Sequence, residues 1–171
     1  WFTNNTNDLI VTRVVGNDSS GNPIFSPRNV DHARTQGLTL DAHTAPLHGI
    51  SADVALTDLY RAQDADTGMR LPNDPVFTVN LNLTFRSSGR SRFEDGGISL
   101  RAVGERSAVD HTQPLFAAAA AYDAFDAYAR LRIAPRTLLA IRGYNLGNER
   151  YAEVPGYPMP GRTIAVEITT R

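Results

Sequence analysis

The segment Thr78-Val79-Asn80-Leu81-Asn82-Leu83-Thr84-Phe85-Arg86 alternates polar and apolar side chains without a break. Its odd-numbered positions are Val, Leu, Leu and Phe, and its even-numbered positions are Thr, Asn, Asn, Thr and Arg. Successive side chains of a β-strand point to opposite faces of the sheet. The segment is therefore predicted to be a strand with one apolar and one polar face.

The same period of two recurs along most of the chain. It is strict in Phe125–Ile133 and in Thr163–Thr169. Weaker versions occur in Trp1–Val15, Leu38–Ala42, Ile50–Leu56, Ile98–Ala102 and Leu139–Gly143. The alanine-rich run 117–121 is short and uncapped for a helix, so we place it between a loop and a strand. The sequence predicts an all-β fold, an antiparallel up-and-down meander of about eight strands.

The predicted connections are of two kinds. Residues 45–49 and 134–137 are short turns, and residues 86–95 form a connection of intermediate length. The others are long and rich in polar residues, Pro or Gly: 16–29, 64–74, 110–122 and 148–161. In a meander, alternate connections emerge at opposite ends of the sheet. We therefore expect one end with tight turns and one end with long loops, as in outer-membrane barrels.

Composition excludes several classes of protein. The chain has 171 residues, with 17 Lys and Arg against 18 Asp and Glu, so its charge gives no reason to propose a nucleic-acid partner. Cysteine is absent, which rules out disulfides, thiolate nucleophiles and Cys-based metal sites. No apolar run approaches the ~18 residues of a transmembrane helix. Because the chain begins at Trp1 rather than at Met, we expect it to be a piece of a longer protein.

Two architectures fit strands with two unlike faces. One is a soluble β-sandwich or adhesin-like binding module, whose apolar faces form a core. The other is a membrane β-barrel, whose apolar face meets lipid and whose polar face meets water. The polar face is dense in Arg, Asp, Asn and Thr, and the apolar face often carries small residues. With the long loops, these features favour the barrel.

Charged residues on the polar side of the predicted strands are the candidate lumen-facing residues. An Arg facing lipid at the middle of the bilayer costs ~2–4 kcal/mol, so these side chains are expected to point inward. The candidates are Asp53, Arg101, Asp126, Arg130, Arg132, Arg142 and Glu167. The alternative is a purely structural role, in which these residues pair with one another in a hydrated lumen.

The sequence gives little sign of catalysis or of a cofactor. The four histidines, His32, His43, His48 and His111, form no compact metal-ligand motif, and we predict no metal site and no cofactor. His43 and His48 flank a predicted tight turn. The pair Asp110-His111 suggests a small outer-membrane barrel enzyme as an alternative function, but adjacency in sequence does not supply the partners of a catalytic site.

The end of the chain resembles TonB-dependent receptors. In that family the penultimate strand closes with an Asn-Leu-Phe-Asp-x-x-Tyr-like phrase, here Asn145-Leu146-Gly147-Asn148-Glu149-Arg150-Tyr151, with Gly where Phe is usual. A Gly-Tyr-x-x-x-Gly-Arg phrase follows, here Gly156-Tyr157-Pro158-Met159-Pro160-Gly161-Arg162, and then one last alternating strand. The tyrosines Tyr144, Tyr151 and Tyr157 are candidates for an aromatic girdle at the membrane surface.

A second phrase of the family lies upstream. Asn29, Ala33 and Gly37 match its Asn-x-x-x-Ala-x-x-x-Gly pattern, and Asp8-Leu9-Ile10 stands where the preceding strand often reads Asp-x-Leu-Ile. The family commonly ends in an aromatic residue that the barrel-assembly machinery recognises, whereas this chain ends in Thr169-Thr170-Arg171. The matches span nearly the whole chain in the family's order.

The resemblance implies that residues 1–171 are the C-terminal segment of an outer-membrane barrel of ~22 strands. The plug domain and the earlier barrel strands would precede it. The implied function is energy-coupled uptake of a siderophore, vitamin or similar small nutrient ligand. The implied partners are outer-membrane lipid, the receptor's own plug domain, TonB through the missing N-terminal part, and the barrel-assembly machinery.

Overall fold

The computed structural model describes residues 1–71, 74–89, 91–106, 119–154 and 157–170, without the side chains of residues 12–14, 23 and 154. The described residues form ten strands. In chain order these are β1 (Phe2–Asn17), β2 (Pro23–His43), β3 (Ile50–Asp64), β4 (Phe77–Arg86), β5 (Phe93–Val103), β6 (Tyr122–Ala134), β7 (Thr137–Tyr144), β8 (Ala152–Val154), β9 (Tyr157–Pro158) and β10 (Thr163–Thr170).

Eight of these strands form a single sheet in the order β1-β2-β3-β4-β5-β6-β7-β10, and every neighbouring pair is antiparallel. Strands β8 and β9 form a small hairpin inside the connection from β7 to β10. The predicted all-β meander of eight strands is confirmed. Strands β1 and β10 are the two edges of the sheet.

The connections alternate between two ends of the sheet, which we name the turn end and the loop end. Residues 44–49, 87–92 and 135–136 connect strands at the turn end. Residues 65–76, 104–121 and 145–162 are the longer connections at the loop end. This division agrees with the predicted one except at the first connection.

The long loop predicted for residues 16–29 is wrong. Strands β1 and β2 continue through most of it and turn within Asp18–Asn22. The Asp18 carboxylate accepts backbone N–H bonds from Ser20 and Asn22, both of 2.8 Å, and Gly21 adopts a φ of 84°. An Asp side chain that binds the backbone ahead of it, followed by a glycine at positive φ, closes a tight turn.

The apolar face of the sheet is uncovered. Cross-strand partners share a face, so the register places Phe85, Gly96, Ala129, Ile141 and Val166 in one row. Phe85 is 43%, Ile141 39% and Val166 63% exposed. Among the described residues no second layer of sheet packs on this face, so the β-sandwich alternative does not apply. The arrangement instead suits a face that meets lipid.

Two adjacent glycines in β5 let aromatic rings lie close to the sheet on both faces. A Cβ on Gly96 would lie 2.9 Å from the ring of Phe93 on the apolar face. A Cβ on Gly97 would lie 2.7 Å from the ring of Tyr128 on the polar face. A glycine within a strand often marks such a close approach. Neither ring could keep its place over an alanine.

Most of the buried residues lie at the loop end rather than between two layers. One group joins the β1–β2 hairpin to the connection after β3 and comprises Val11, Val30, Ala33 and Leu71. The other lies on the polar face, where Val103 is 3%, Tyr122 5% and Ala124 9% exposed. The connection from β7 to β10 folds over this second group.

Candidate functional site: the polar face and its inner loop

The polar face brings most of the predicted charged residues together. The register runs from Asp53 through Asn82 and Ser99 to Asp126, so these four residues lie in one row across β3 to β6. A parallel row joins residues of β4 to β10: Arg86, Asp95, Arg130, Ala140 and Glu167. Arg101, Arg132 and Arg142 have the same parity as these rows in their strands. All seven predicted residues therefore occupy one face.

Ion pairs hold two of the arginines near the turn end. The Arg130 Nε lies 2.6 Å from Asp95 Oδ1, and a second nitrogen of the guanidinium binds Oδ2, so the pair is bidentate. Arg132 pairs with Glu94. A β-bulge between Phe93 and Asp95 places these two acids side by side against the two arginines. Bidentate pairing fixes orientation as well as charge.

The other predicted residues are also partnered. His43 pairs with Asp53, and both side chains are exposed. The Arg142 guanidinium lies over the Tyr128 ring at 5.8 Å from its centroid. Glu167 accepts a 3.3 Å hydrogen bond from the Thr169 hydroxyl. The polar face is an internally paired surface along most of its length.

Asn145 joins the polar face to both ends of the β7–β10 connection. Its backbone N–H donates to Asp126 Oδ1 at 2.7 Å. Its side-chain amide donates to the carbonyls of Glu149, at 2.9 Å, and Pro160, at 3.1 Å. Its Oδ1 accepts the Glu149 N–H at 2.9 Å. Asn145 is 4% exposed and has a φ of 48°, a left-handed conformation that Asn tolerates better than most residues.

Asn148 also connects the two ends of the β7–β10 connection. It also has a positive φ, of 56°, and its Oδ1 accepts the backbone N–H of Arg162 at 3.0 Å. A Cβ on Gly161 would lie 2.8 Å from that Oδ1, so the glycine leaves room for it. These contacts explain why the Asn-Leu-x-Asn and Gly-Arg phrases occur together. They close the base of a loop.

This connection, which we call the inner loop (described residues 145–154 and 157–162), folds back over the polar face. The Tyr151 ring stacks on the Tyr122 ring with centroids 4.0 Å apart and planes 17° apart. Burial raises the pKa of the Tyr151 hydroxyl, and the neighbouring Tyr122 and Glu153 add to the shift. Glu153 pairs with Arg101 at 2.7 Å. The loop is thus bound to β5 and β6.

The girdle predicted from the tyrosines is wrong for two of them. Tyr151 packs against Tyr122 on the polar side, and the register Tyr144↔Thr163 puts Tyr144 on the same face as Arg142. Tyr157 is 73% exposed in the β8–β9 hairpin. The presence of tyrosines in the sequence did not indicate that this part of the chain folds over the polar face.

The upstream phrase has a packing role. Ala33 is 4% exposed in the cluster beneath the β1–β2 hairpin. A Cβ on Gly37 would meet the Asp58 carbonyl oxygen and would lie 2.8 Å from the Phe2 ring, so this position excludes larger residues. The β-bulge between Gln36 and Gly37 lies at the same point.

Several predictions fall on residues outside the described part of the chain. They concern Gly156 of the tail phrase, the pair Asp110-His111, residues 117–118 of the alanine run, and Arg171. Within the described part, no group of three or more His, Cys, Asp or Glu side chains is arranged to hold a metal ion. Nor does that part contain a helix with the length and apolar character needed to cross a membrane.

The family model described as "TonB dependent receptor-like, beta-barrel" matches residues 1–146. The chain belongs to the TonB-dependent receptor family. Barrels of this family lie in the bacterial outer membrane, and its members are receptors and transporters rather than enzymes. No curated protein matches the sequence.

Solved structures of TonB-dependent receptors share the fold. The copper transporter OprC aligns with a TM-score of 0.73 at 18% identity, over 97% of this chain and 27% of that one. The siderophore receptor PirA from Acinetobacter baumannii gives 0.69 at 16% identity, over 98% and 28%. The ferric enterobactin receptor PfeA from Pseudomonas aeruginosa, as the R480A mutant with enterobactin, gives 0.68 at 18% identity, over 98% and 28%. The chain spans about a quarter of these proteins' length.

Two residues of the inner-loop site, Arg106 and Tyr122, were not predicted from the sequence. Arg106 is 8% exposed and donates to the carbonyls of Ala152 and Glu153. It lies beyond the alternating part of β5, where no pattern marked it. Tyr122 follows the parity of β6 and could have been placed on the polar face by extending the alternation three residues upstream of Phe125.

Proposed function

We propose that this chain is the C-terminal segment of the barrel of an intact receptor that imports a scarce nutrient across the outer membrane with energy supplied through TonB. The plug domain and the remaining strands of a ~22-stranded barrel would be supplied by the rest of that protein. Family membership supports the class of function. The two unlike faces of one sheet support the membrane setting.

The observation that carries this proposal is the separation of charge from apolar surface across a single layer. One face bears the seven charged residues with their partners, and the other bears exposed residues such as Phe85, Ile98 and Ile141. In a closed barrel the charged face lines a watery lumen and the apolar face meets lipid. We infer that the lumen side is also the surface that holds the plug.

Aromatic residues mark a band of the expected height on the apolar face. Near the turn end, the rings of Phe85 and Phe93 lie 5.7 Å apart. Near the loop end, Trp1 donates to the Tyr60 hydroxyl, and Phe77 begins β4. Phe77 and Phe85 are eight positions apart, about 27 Å along a strand. A tilt of about 40° reduces this to about 21 Å across the membrane, near the height of ~25 Å for an apolar band.

The cargo class is inferred from the relatives. The titles of the similar structures name a copper transporter, a siderophore receptor and a ferric enterobactin receptor. We infer that the intact receptor binds a small metal-containing ligand, such as a siderophore chelate, at its loop end. Orientation follows from barrels of this type, whose long loops face outward and whose short turns face the periplasm.

Uptake in living cells tests this function. The gene that encodes this chain is deleted, and cells are given iron-labelled siderophores and labelled cobalamin one at a time. We expect the deletion to abolish accumulation of at least one ligand. Loss of TonB or collapse of the proton gradient should abolish the same accumulation while leaving ligand bound at the surface. Accumulation of every ligand at the wild-type rate in both backgrounds would contradict the proposal.

A further inference from the structure

Two arginines of the polar face converge on one acid of the inner loop. The Arg101 guanidinium donates to Glu153 Oε1 at 2.7 Å. The Arg106 guanidinium donates to the Glu153 carbonyl and to the Ala152 carbonyl, the latter at 3.0 Å. The Glu153 carboxylate is therefore bound by Arg101 and the Glu153 backbone by Arg106, and we call these two cations the arginine seat (Arg101 and Arg106).

The two arginines differ in how firmly they are held. The Arg106 residue is buried, and its donors reach only uncharged carbonyl groups among the partners described. Arg101 and Glu153 have side chains that are 51% and 37% exposed. An ion pair this exposed contributes little net stability, because water screens it and both side chains lose freedom. The carboxylate of Glu153 is therefore replaceable by another anion.

The surroundings of the arginine seat include a polar group that a ligand can bind. Arg101 also lies over the Tyr122 ring, 5.9 Å from its centroid. The Tyr122 hydroxyl is buried and has no hydrogen-bond partner among the described residues. Burying a hydroxyl without a hydrogen-bond partner costs free energy, because the hydroxyl loses its hydrogen bonds to water. A ligand oxygen entering beside the ring could relieve that cost, which Glu153 does not do.

We propose that the arginine seat is an anion-binding site, that Glu153 fills it as an internal substitute, and that a carboxylate-bearing ligand displaces Glu153 and releases the inner loop from the wall. The class of ligand is an anion with at least one free carboxylate, such as an anionic metal chelate. That this anion is the transported cargo rests on the proposed uptake function. Binding at the seat and release of the loop do not require transport.

The first experiment measures binding of citrate, as a carboxylate probe, to the purified intact receptor in detergent by calorimetry. Glu153→Gln removes the internal competitor and keeps the size of the side chain. We expect it to bind citrate about two- to fivefold more tightly, the range set by a partly exposed ion pair. Arg101→Gln removes half of the seat and should bind citrate more weakly than wild type.

Glu149→Gln is the matched control. Glu149 is another acid of the inner loop, and its carboxylate makes no ion pair among the described residues, so its loss changes the loop charge equally without touching the seat. We expect wild-type citrate affinity. Equal affinity of Glu153→Gln and wild type, with Glu149→Gln unchanged, would overturn the proposal.

The second experiment measures the loop itself. Spin labels at Arg150→Cys in the inner loop and Arg136→Cys at the turn end report their separation by pulsed electron resonance. We expect the distance distribution to broaden when citrate is added, and to be broad without citrate in Glu153→Gln. Neutral sucrose should leave it unchanged. A distribution that citrate does not alter would overturn release of the loop, whereas failure of TonB-dependent uptake would overturn only the identity of the anion as cargo.

Discussion

Asn145 stands at the centre of the hydrogen bonds that close the inner loop. Replacing it with Ala removes the acceptor of the Glu149 N–H and two donated bonds. One lost hydrogen bond of this kind is worth about 1 kcal/mol. We therefore expect the Glu149 amide of Asn145→Ala to exchange its hydrogen about fivefold to tenfold faster in the intact receptor. Mass spectrometry of exchange, resolved to this peptide, is the measurement.

Asn148→Ala is the control for that change, because Asn148 shares the positive φ and therefore the same backbone strain. Its side chain accepts the Arg162 N–H rather than that of Glu149. We expect Asn148→Ala to speed exchange at Arg162 and to leave Glu149 near its wild-type rate. If both variants accelerate both amides equally, the two asparagines act through strain and not through separate bonds.

Asp74 makes the stability of the connection after β3, at the loop end, depend on pH. Burial raises the pKa of its carboxyl above the ordinary value of 3.8, and the nearby Arg70 guanidinium opposes the shift. The folded loop therefore binds this proton more tightly than the unfolded chain. The favourable contribution of this bound proton to the free energy of folding is complete below pH 3.8. It is lost as the pH rises through the raised pKa of Asp74.

Asp74→Asn should consequently stabilise the connection after β3 at pH 7 and have no effect at pH 3. The Leu71 amide, which donates to the Ala62 carbonyl at 2.9 Å, reports on this connection. We expect it to exchange more slowly in the variant than in wild type at pH 7 only. Equal slowing at both pH values would assign the effect to something other than the carboxylate charge.

At the scale of the strand, β4 separates the two faces most clearly. Leu81 lies midway between Phe77 and Phe85 on the apolar face, and Asn82 follows it on the polar face. Leu81→Arg should lower the unfolding free energy of the intact receptor in lipid by about 2–4 kcal/mol, because the charge enters the middle of the bilayer. Asn82→Arg should cost less than about 1 kcal/mol, since its side chain meets water.

Urea titration of both variants, followed by tryptophan fluorescence, measures the difference. The two substitutions are neighbours in one strand, so they share any effect on β-propensity. Equal losses would mean that the apolar face of β4 does not lie against lipid.

The sequence predicted the strands well where the two faces of the sheet meet different environments. The predicted segments 78–86 and 125–133 lie within β4 and β6, because each residue there must suit one of two unlike faces. The β1–β2 hairpin was missed over residues 16–29. It extends beyond the aromatic band, where water can meet both faces of the hairpin, so strict alternation of polar and apolar residues is not required there.

The candidate site was predictable only in part for a related reason. Parity along each strand placed Arg101, Arg130 and Arg142 on the polar face. The contact of Arg101 with Glu153 joins residues 52 positions apart. It depends on how the inner loop folds back, which is decided by Asn145, Asn148 and the stacking of Tyr151 rather than by any local period.

At the scale of the whole molecule, the sheet has two open edges. Strands β1, with 16 residues, and β10, with 8, each pair on one side only within the described structure. Free edges offer unpaired N–H and C=O groups to any other strand. The isolated 171-residue chain, refolded in detergent, is therefore expected to associate through these edges into large species rather than to form a closed monomer.

Light scattering after size-exclusion chromatography measures this. The intact receptor, refolded in the same detergent, is the control and should elute as a single species of monomer mass, because closure of a barrel removes every edge. Circular dichroism shows whether the isolated chain has formed strands, which separates association of a folded sheet from a failure to fold. A monodisperse monomer of the isolated chain with full strand content would mean that these eight strands satisfy their own edges, and the chain would then be a small complete barrel and not a segment of a larger one.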